Sequence, residues 1–371
     1  MDQTTIRRRL QGLRESRSIN QAELADILGF NDRQTLSDIE LGKRNVAPDE
    51  LVRAAEYFGV GSEYFTDPFE LAGEARFSWR KSPHANDLES FEQRAGGWIA
   101  TYRHLSRLKG ESVNSFLARV DIHAKSSLLE AADEGDAVSR TLGLGEVPAA
   151  TLATVLERKL DTLVLHVDTA DGVSGAACQL GSLNAIIINR RESPGRRAFD
   201  MGHELFHLLT WQEMAPPHIE DGTSSSPRYK HVERLADSFS AGLLMPRHLI
   251  ESLVAKSPPP KAGEHTWIAW IKNAASTLSV SGSAMKWRLV SLGLLKKAAA
   301  ERMEDTSLRF ETRGTRHLLP PPFSRRFLEN LGWGIEKGHL SARRAAKVMG
   351  TTLDDLSAMF TEHGLKTPYD L

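Results

Sequence analysis

The sequence contains a single cysteine, Cys178, among 371 residues. One thiol excludes an intramolecular disulfide and a cysteine-rich zinc ribbon, and it fits a reducing, cytoplasmic setting. Net charge is nearly missing too: 47 Lys and Arg stand against 48 Asp and Glu. No global field draws such a chain to nucleic acid or to an anionic membrane, so any binding of that kind must come from a local patch. No stretch reaches the roughly 18 apolar residues of a membrane span, and Met1 to Leu10 is polar and Arg-rich with no apolar core behind it. Neither export nor anchoring is expected. Internal repeats and low-complexity tracts are absent as well. What the chain does have is length for two or three domains and a 40% hydrophobic composition, which supports ordinary packed cores.

The apolar residues fall into distinct periods along the chain. Residues 1–66 read as five short helices, with stripes at Ile6, Leu10 and Leu13, at Leu24, Ala25 and Leu28, at Leu36 and Ile39, and at Leu51, Ala55 and Phe58. Asn20 with Glu23 three residues on marks a helix start, Pro48 another, and Gly59 a helix end. Residues 67–81 read as loop. Residues 88–142 return to helical spacing, with Trp98, Leu105, Leu108, Phe116, Leu117 and Ile122 as expected core positions, and residues 67–145 as a whole read as a helical connector. Three β-rich runs follow, Thr162–Val167, Gly175–Gln179 and Ala185–Asn189, separated by Gly-containing turns that predict a small antiparallel sheet. Ser193, Pro194 and Gly195 then open a helix running to about Trp211, and a second runs from about Arg228 to Leu244, ended by Pro246. Proline clusters at 258–260 and 320–322 leave helices near 264–294 and from Phe323 to His363. The expected class is α+β and predominantly helical, with divisions at 1–66, 67–145, 146–298 and 299–371.

His203-Glu204-Leu205-Phe206-His207 falls on the first of the two helices. The i, i+4 spacing places both imidazoles on one face, within reach of one cation. On the next helix Glu233 can supply a third, carboxylate ligand, and Asp237, four residues later, can hydrogen-bond the outer nitrogen of a ligand histidine. Three protein ligands leave a coordination position open, and Glu204 beside the first ligand can act as general base, so the pattern points to zinc and to amide hydrolysis. Two other readings of the same residues stand. Histidines on an amphipathic helix can simply pack, and two histidines with one carboxylate also form the facial triad of non-haem iron enzymes. His166, His218 and His231 read as surface or packing residues, one of which can serve an oxyanion.

These motifs, His203-Glu204-Leu205-Phe206-His207 followed by Glu233-Arg-Leu-Ala-Asp237-Ser-Phe-Ser-Ala-Gly-Leu-Leu-Met-Pro246, resemble the ImmA/IrrE family of zinc metallopeptidases over roughly residues 147–295. The resemblance implies a zincin-like domain with His203, His207 and Glu233 on zinc and Glu204 as the base. It also implies cleavage of helix-turn-helix repressors in stress or mobile-element responses as the family's role.

Residues 6–60 carry a second pattern, Ser18-Ile-Asn-Gln-Ala-Glu-Leu-Ala-Asp-Ile-Leu-Gly29 leading to Ile39-Glu40-Leu-Gly-Lys-Arg44. It resembles the phage-repressor, Cro-type (XRE) helix-turn-helix family. Gln21-x-x-Leu24-Ala25 starts the scaffold helix, Gly29 permits the turn, and the helix from about Arg33 to Glu40 would enter the major groove of double-stranded operator DNA. Arg33, Gln34, Thr35 and Ser37 are the expected base contacts; Gln21, Lys43 and Arg44 are the expected phosphate contacts. Residues 1–66 hold nine Lys and Arg against eleven Asp and Glu. One copy should therefore bind weakly, and a homodimer on two half-sites is the expected remedy. A helical module used only for protein contacts is the competing reading.

Three functions fit this sequence. The chain is a DNA-bound regulator whose zinc endopeptidase cleaves a partner repressor or itself. Otherwise it is a transcription factor whose metallopeptidase-like domain has become a ligand sensor, or one component of a toxin-antitoxin or prophage control system. Retention of Glu204 favours the first, because a structural zinc site has no use for a base beside its first ligand. The polar stretch Asp221–Ser226 reads as a flap over the cleft, and residues 323–371 as a helical cap or partner-binding element.

Overall fold

The structure is a computed structural model, and it describes residues 3–71, 75–81, 88–111, 120–220, 226–261, 263–310 and 319–370. The chain opens with helices α1 (Gln3–Ser16), α2 (Gln21–Ile27), α3 (Arg33–Glu40), α4 (Pro48–Phe58) and α5 (Glu63–Thr66), then strand β1 (Arg76–Lys81) and helix α6 (Leu88–Leu108). Helices α7 (Leu128–Leu142) and α8 (Pro148–Lys159) precede strands β2 (Leu163–Val167), β3 (Val173–Leu180) and β4 (Leu183–Asn189), helix α9 (Pro194–Thr210), strand β5 (Ile219–Glu220) and helix α10 (Pro227–Leu244). Next come α11 (Arg247–Lys256), α12 (Glu264–Thr277), α13 (Gly282–Ser291) and α14 (Lys297–Arg302), and last α15 (Arg325–Glu336), α16 (Ala342–Met349) and α17 (Leu353–Glu362). The class is α+β and predominantly helical, as the sequence predicts. The chain forms two compact units from non-contiguous segments: one takes residues 1–76, 88–113 and 328–371, the other 77–87 and 114–327.

In the first unit the N-terminal helices close on Ile6, Leu10, Leu24, Leu36, Ile39, Leu51 and Phe58, from the stripes expected from spacing, with Phe65 of α5 added to them and Leu13 only partly buried. Their ends follow local chemistry. Asn20 caps α2 by accepting from the Glu23 N–H at 2.9 Å, Asp32 caps α3 by accepting from Thr35 N–H at 2.8 Å, and Gly59 ends α4 at φ 68°. In the same unit α6 presents a buried face containing Trp98 and Leu105, but Leu108, an expected core position, is 45% exposed. The helix ends there and Gly110, at φ 73°, turns the backbone away, so the periodicity that would bury Leu108 stops. Phe116 and Leu117 lie outside the described residues.

The second unit holds a five-stranded sheet in the order β2-β4-β3-β1-β5. The expected antiparallel sheet is corrected to a mixed one. β3 and β4 form an antiparallel hairpin through Gly181-Ser182, but β2 pairs with β4 in parallel, Leu163 opposite Ala185 to Val167 opposite Asn189. The reason lies in the burial of β4, where Leu183, Ala185, Ile186, Ile187 and Ile188 are all 0–1% exposed. A run that apolar fits a central strand, and an antiparallel meander would have left it at the edge. The stretch 67–81, read as loop, contains β1, whose Trp79 and Arg80 pair in parallel with Ile219 and Glu220 of β5. Its partner lies about 140 residues away in sequence, so no local turn announces it.

Helix α9 packs against β3 and β4 on one side and α10 on the other. Eleven of its seventeen residues are buried. That explains its near-continuous apolar character outside the polar positions, since a helix covered on both sides has no free face for charge. Helix α10 is gripped on both of its own sides. A β-carbon at Gly202 of α9 would lie 2.6 Å from Ser240 Oγ, and one at Gly135 of α7 would lie 2.1 Å from the Phe239 carbonyl oxygen. The reciprocal position, Gly242, faces the Ala132 carbonyl at 1.9 Å on the same test. Only hydrogen fits at these crossings, so α7 and α10 meet backbone to backbone, while α9 at Gly202 makes room for the Ser240 side chain of α10.

Candidate metal centre and recognition helix

His203, Glu204 and His207 project from the middle of α9 and all are 0% exposed. Glu233 enters from α10, and the donor atoms of His203, His207 and Glu233 lie within 4.8 Å of one another. The two Nε2 atoms are 3.0 Å apart; Glu233 Oε2 is 3.3 Å from His203 Nε2, and Glu233 Oε1 is 3.6 Å from His207 Nε2. The fit to a cation can be judged from these distances and from proton positions. His203 Nδ1 is 2.9 Å from Asp237 Oδ1. Burial would push the Asp237 carboxyl up, but the His203 hydrogen bond and the nearby Arg80 and Arg196 charges hold it below its ordinary value. An ionised carboxylate only accepts, so Nδ1 carries the proton and the Nε2 of a neutral His203 presents a lone pair. That lone pair faces a carboxylate and a second imidazole, a set of ligand atoms that suits a divalent cation. For tetrahedral zinc with bonds near 2.0–2.1 Å the ligand-to-ligand edge is about 3.3 Å. The observed separations of 3.0, 3.3 and 3.6 Å bracket it.

The surroundings hold this arrangement in place. Gly175 of β3 passes close to Glu204, where a β-carbon would lie 3.8 Å from Glu204 Cγ but only 2.8 Å from the Ile187 carbonyl oxygen. Ser240 of α10 donates to the Phe199 carbonyl at 2.8 Å, fixing α10 along α9. Asp237 also lies 3.7 Å from Arg80, which bonds buried Asp200 at 3.0 Å, and Arg196 bonds the other oxygen of Asp200 at 2.9 Å. A fully buried carboxylate needs such pairing. Sequence reasoning missed Arg80 and Asp200. Asp200 was within reach, because Arg196, Asp200 and His203 fall at i, i+4 and i+7 on one helix face, whereas Arg80 is 120 residues from its partner and carries no local signal.

The three other histidines weighed from the sequence, His166, His218 and His231, stand outside the cluster. His166 on β2 is held neutral, its pKa lowered to about 4 by burial and by the Arg197 charge. His218 Nδ1 lies 3.3 Å from the Phe77 carbonyl oxygen and His231 Nε2 lies 2.8 Å from that of Ser126. The expected flap, Asp221–Ser226, lies outside the described residues except for Ser226.

On the first unit, α3 begins at Arg33, the position expected for the recognition helix. Arg33 and Gln34 are exposed in its first turn, while Thr35 and Ser37 are half-buried. The other expected DNA contacts are engaged within the unit. Gln21 donates to Glu40 at 2.7 Å, and the same carboxylate takes Arg14 at 2.7 Å. Arg44 pairs with Glu50 at 2.6 Å, and Lys43 lies 3.7 Å from Asp38.

Comparison with known proteins agrees with both halves. Residues 10–65 match the family described as Helix-turn-helix, and residues 158–289 match the IrrE N-terminal-like domain, a peptidase family. The chain carries one domain of each kind. No curated protein matches it. Among solved structures, that of Bacillus thuringiensis PlcR in complex with the peptide PapR7 and DNA aligns over 97% of both chains at 12% identity with a TM-score of 0.17, too low to carry an argument. Among the described residues no helix is long and apolar enough to cross a membrane.

Proposed function

We propose that this pairing of a helix-turn-helix domain with an IrrE N-terminal-like domain is a transcriptional regulator that works as a zinc-dependent endopeptidase on a repressor or partner protein in the cytoplasm. The observation that carries the reading is the convergence of His203, His207 and Glu233, with Glu204 adjacent on the same helix. His203, His207 and Glu233 would hold the ion. Zinc bound there would supply Lewis acidity, polarising a carbonyl and bringing the ionisation of water to about pH 7. Glu204 then accepts the proton of the attacking water and returns it to the leaving amine. Asp237 keeps the His203 proton on Nδ1 and the ring in its orientation. In the first unit, Arg33, Gln34, Thr35 and Ser37 read base edges and Gln21, Lys43 and Arg44 meet phosphate, with a homodimer spanning two half-sites.

One observation favours a second reading. Glu204 and both histidines are completely buried, and among the ligands only Glu233 has an exposed side-chain fraction, 24%. A sealed centre suits a sensor whose metal orders the fold. The deciding experiment incubates zinc-loaded full-length protein, and its Glu204→Gln variant, with a proteome-derived peptide library and reads new termini by mass spectrometry. Cleavage by the parent should fall about 1000-fold in the variant while zinc content stays equal. Equal product from both proteins, or none from a zinc-loaded parent, overturns the peptidase reading in favour of the sensor.

A further inference from the structure

Asp237 is the most exposed side chain at the metal centre, 47% against 24% for Glu233, while both histidines are buried. A half-exposed carboxylate on a helix has other staggered rotamers open to it, and leaving the present one takes Oδ1 off His203 Nδ1 and into water. The hydrogen bond to His203 is therefore a weak hold by itself.

A second group bears on the same oxygen. Arg80 Nη2 lies 3.7 Å from Asp237 Oδ1, the atom paired with His203 Nδ1, and Arg80 Nη1 donates to Asp200 Oδ1 at 3.0 Å. The two ends of one guanidinium thus address two carboxylates, one on α10 and one on α9. Asp200 is the fixed end: it is fully buried, and Arg196, four residues back on the same helix, donates to its other oxygen at 2.9 Å. Strand β1 fixes Arg80 in turn. The Trp79 N–H donates to the His218 carbonyl at 2.9 Å, Ser78 Oγ donates to the Pro217 carbonyl at 2.7 Å, and Arg80 stands opposite Glu220 of β5. Arg80 lies outside the family-matched residues 158–289, and strand pairing brings it to the site.

We propose that Arg80 is a positioning residue of the metal centre: it clamps Asp237 against Asp200, in the rotamer that keeps Oδ1 on His203 Nδ1, and so holds His203 Nε2 toward His207 and Glu233. The inference rests on the reading of His203, His207 and Glu233 as zinc ligands and needs no peptidase activity. Arginine suits the task because its planar fork presents several donors in fixed directions, where a lysine offers a point charge. Arg80 acts through Asp237, so its loss matters to the metal only while Asp237 is there to be positioned.

The test is a double-mutant cycle on the full-length protein, with zinc affinity read by chelator competition. Arg80→Met should lower affinity about tenfold, the low end of what loss of a partner behind a ligand histidine costs. In an Asp237→Ala background the same substitution should change affinity by less than about threefold. Arg196→Met, which removes a cation from Asp200 and leaves the clamp in place, should also stay within about threefold of the parent. A second measurement needs no metal: in ¹⁵N-histidine NMR of the metal-free protein, the His203 Nδ1–H resonance should be protected in the parent and lost to solvent exchange in Arg80→Met. If Arg80→Met does not fold, Arg80→Gln, which keeps a donor for Asp200 and no cation for Asp237, carries the same predictions. Equal loss of affinity in both backgrounds, or an Nδ1–H as protected in the variant as in the parent, overturns the proposal. A parent that takes up no zinc yet loses Nδ1–H protection on Arg80→Met overturns the metal reading and supports the clamp.

Discussion

Helices α9 and α3 carry the expected functional residues of the two units, and they differ in what their polar side chains do. On α9 the side chains turn toward one another, two imidazoles joined by a carboxylate from α10, their ligand atoms within 4.8 Å of one another. Around α3 they are donors and acceptors already matched, Gln34 with Asp38, Gln21 with Glu40 and Arg44 with Glu50. A candidate cation site shows in the protein alone, as a convergence of atoms of ligand type. A surface built for phosphate does not, because its cations pair internally until a stronger anion competes.

The contrast can be tested at four strengths. His203→Ala should remove zinc from about one ion per chain to near none, read by elemental analysis of protein purified without added metal; full retention would show that the acceptors do not converge on a cation. A second test concerns the unit carrying α9 as a whole. His166 is neutral when folded with a pKa of about 4 and titrates near 6.5 when unfolded, so the unfolded chain binds the extra proton between those values. Its contribution is fully present above pH 6.5 and is lost as pH falls toward 4, by about 3 kcal/mol at most. Urea unfolding of metal-free protein at pH 7 and pH 4.5 should show that loss, and His166→Gln should shrink it. Asp237→Asn should lower zinc affinity about 10- to 100-fold in chelator competition, while an unchanged affinity would deny Asp237 its role behind His203. The smallest effect belongs to α3: Arg33→Ala should weaken binding to an operator fragment about tenfold in gel-shift titration, and no change would favour a module used for protein contacts.

The extent to which the sequence was legible follows from the same contrast. The ligand geometry depends on 3.6-residue spacing within α9 and within α10, and both helices lie within a residue of where periodicity and proline placed them. Asn20, Pro48 and Gly59 likewise act through neighbours no more than four residues away. Pairings between distant segments were hidden. The β2–β4 parallel pair and β1 depend on which strand lies beside which, and apolar content alone does not specify a neighbour. Arg80 at Asp200, and the glycines at the α7–α10 crossing, are invisible for the same reason.

That crossing bears on how the protein tolerates change. Glu233 and Asp237 are carried by a helix whose seat on α7 is set by main chain touching main chain at Gly135 and Gly242. A side chain can adopt another rotamer to absorb a neighbour's new methyl group, but a carbonyl in a helix cannot. In a scan of single substitutions, these two glycines, which touch no metal ligand, should therefore group with the histidines in their intolerance rather than with the other packing residues of α7 and α10.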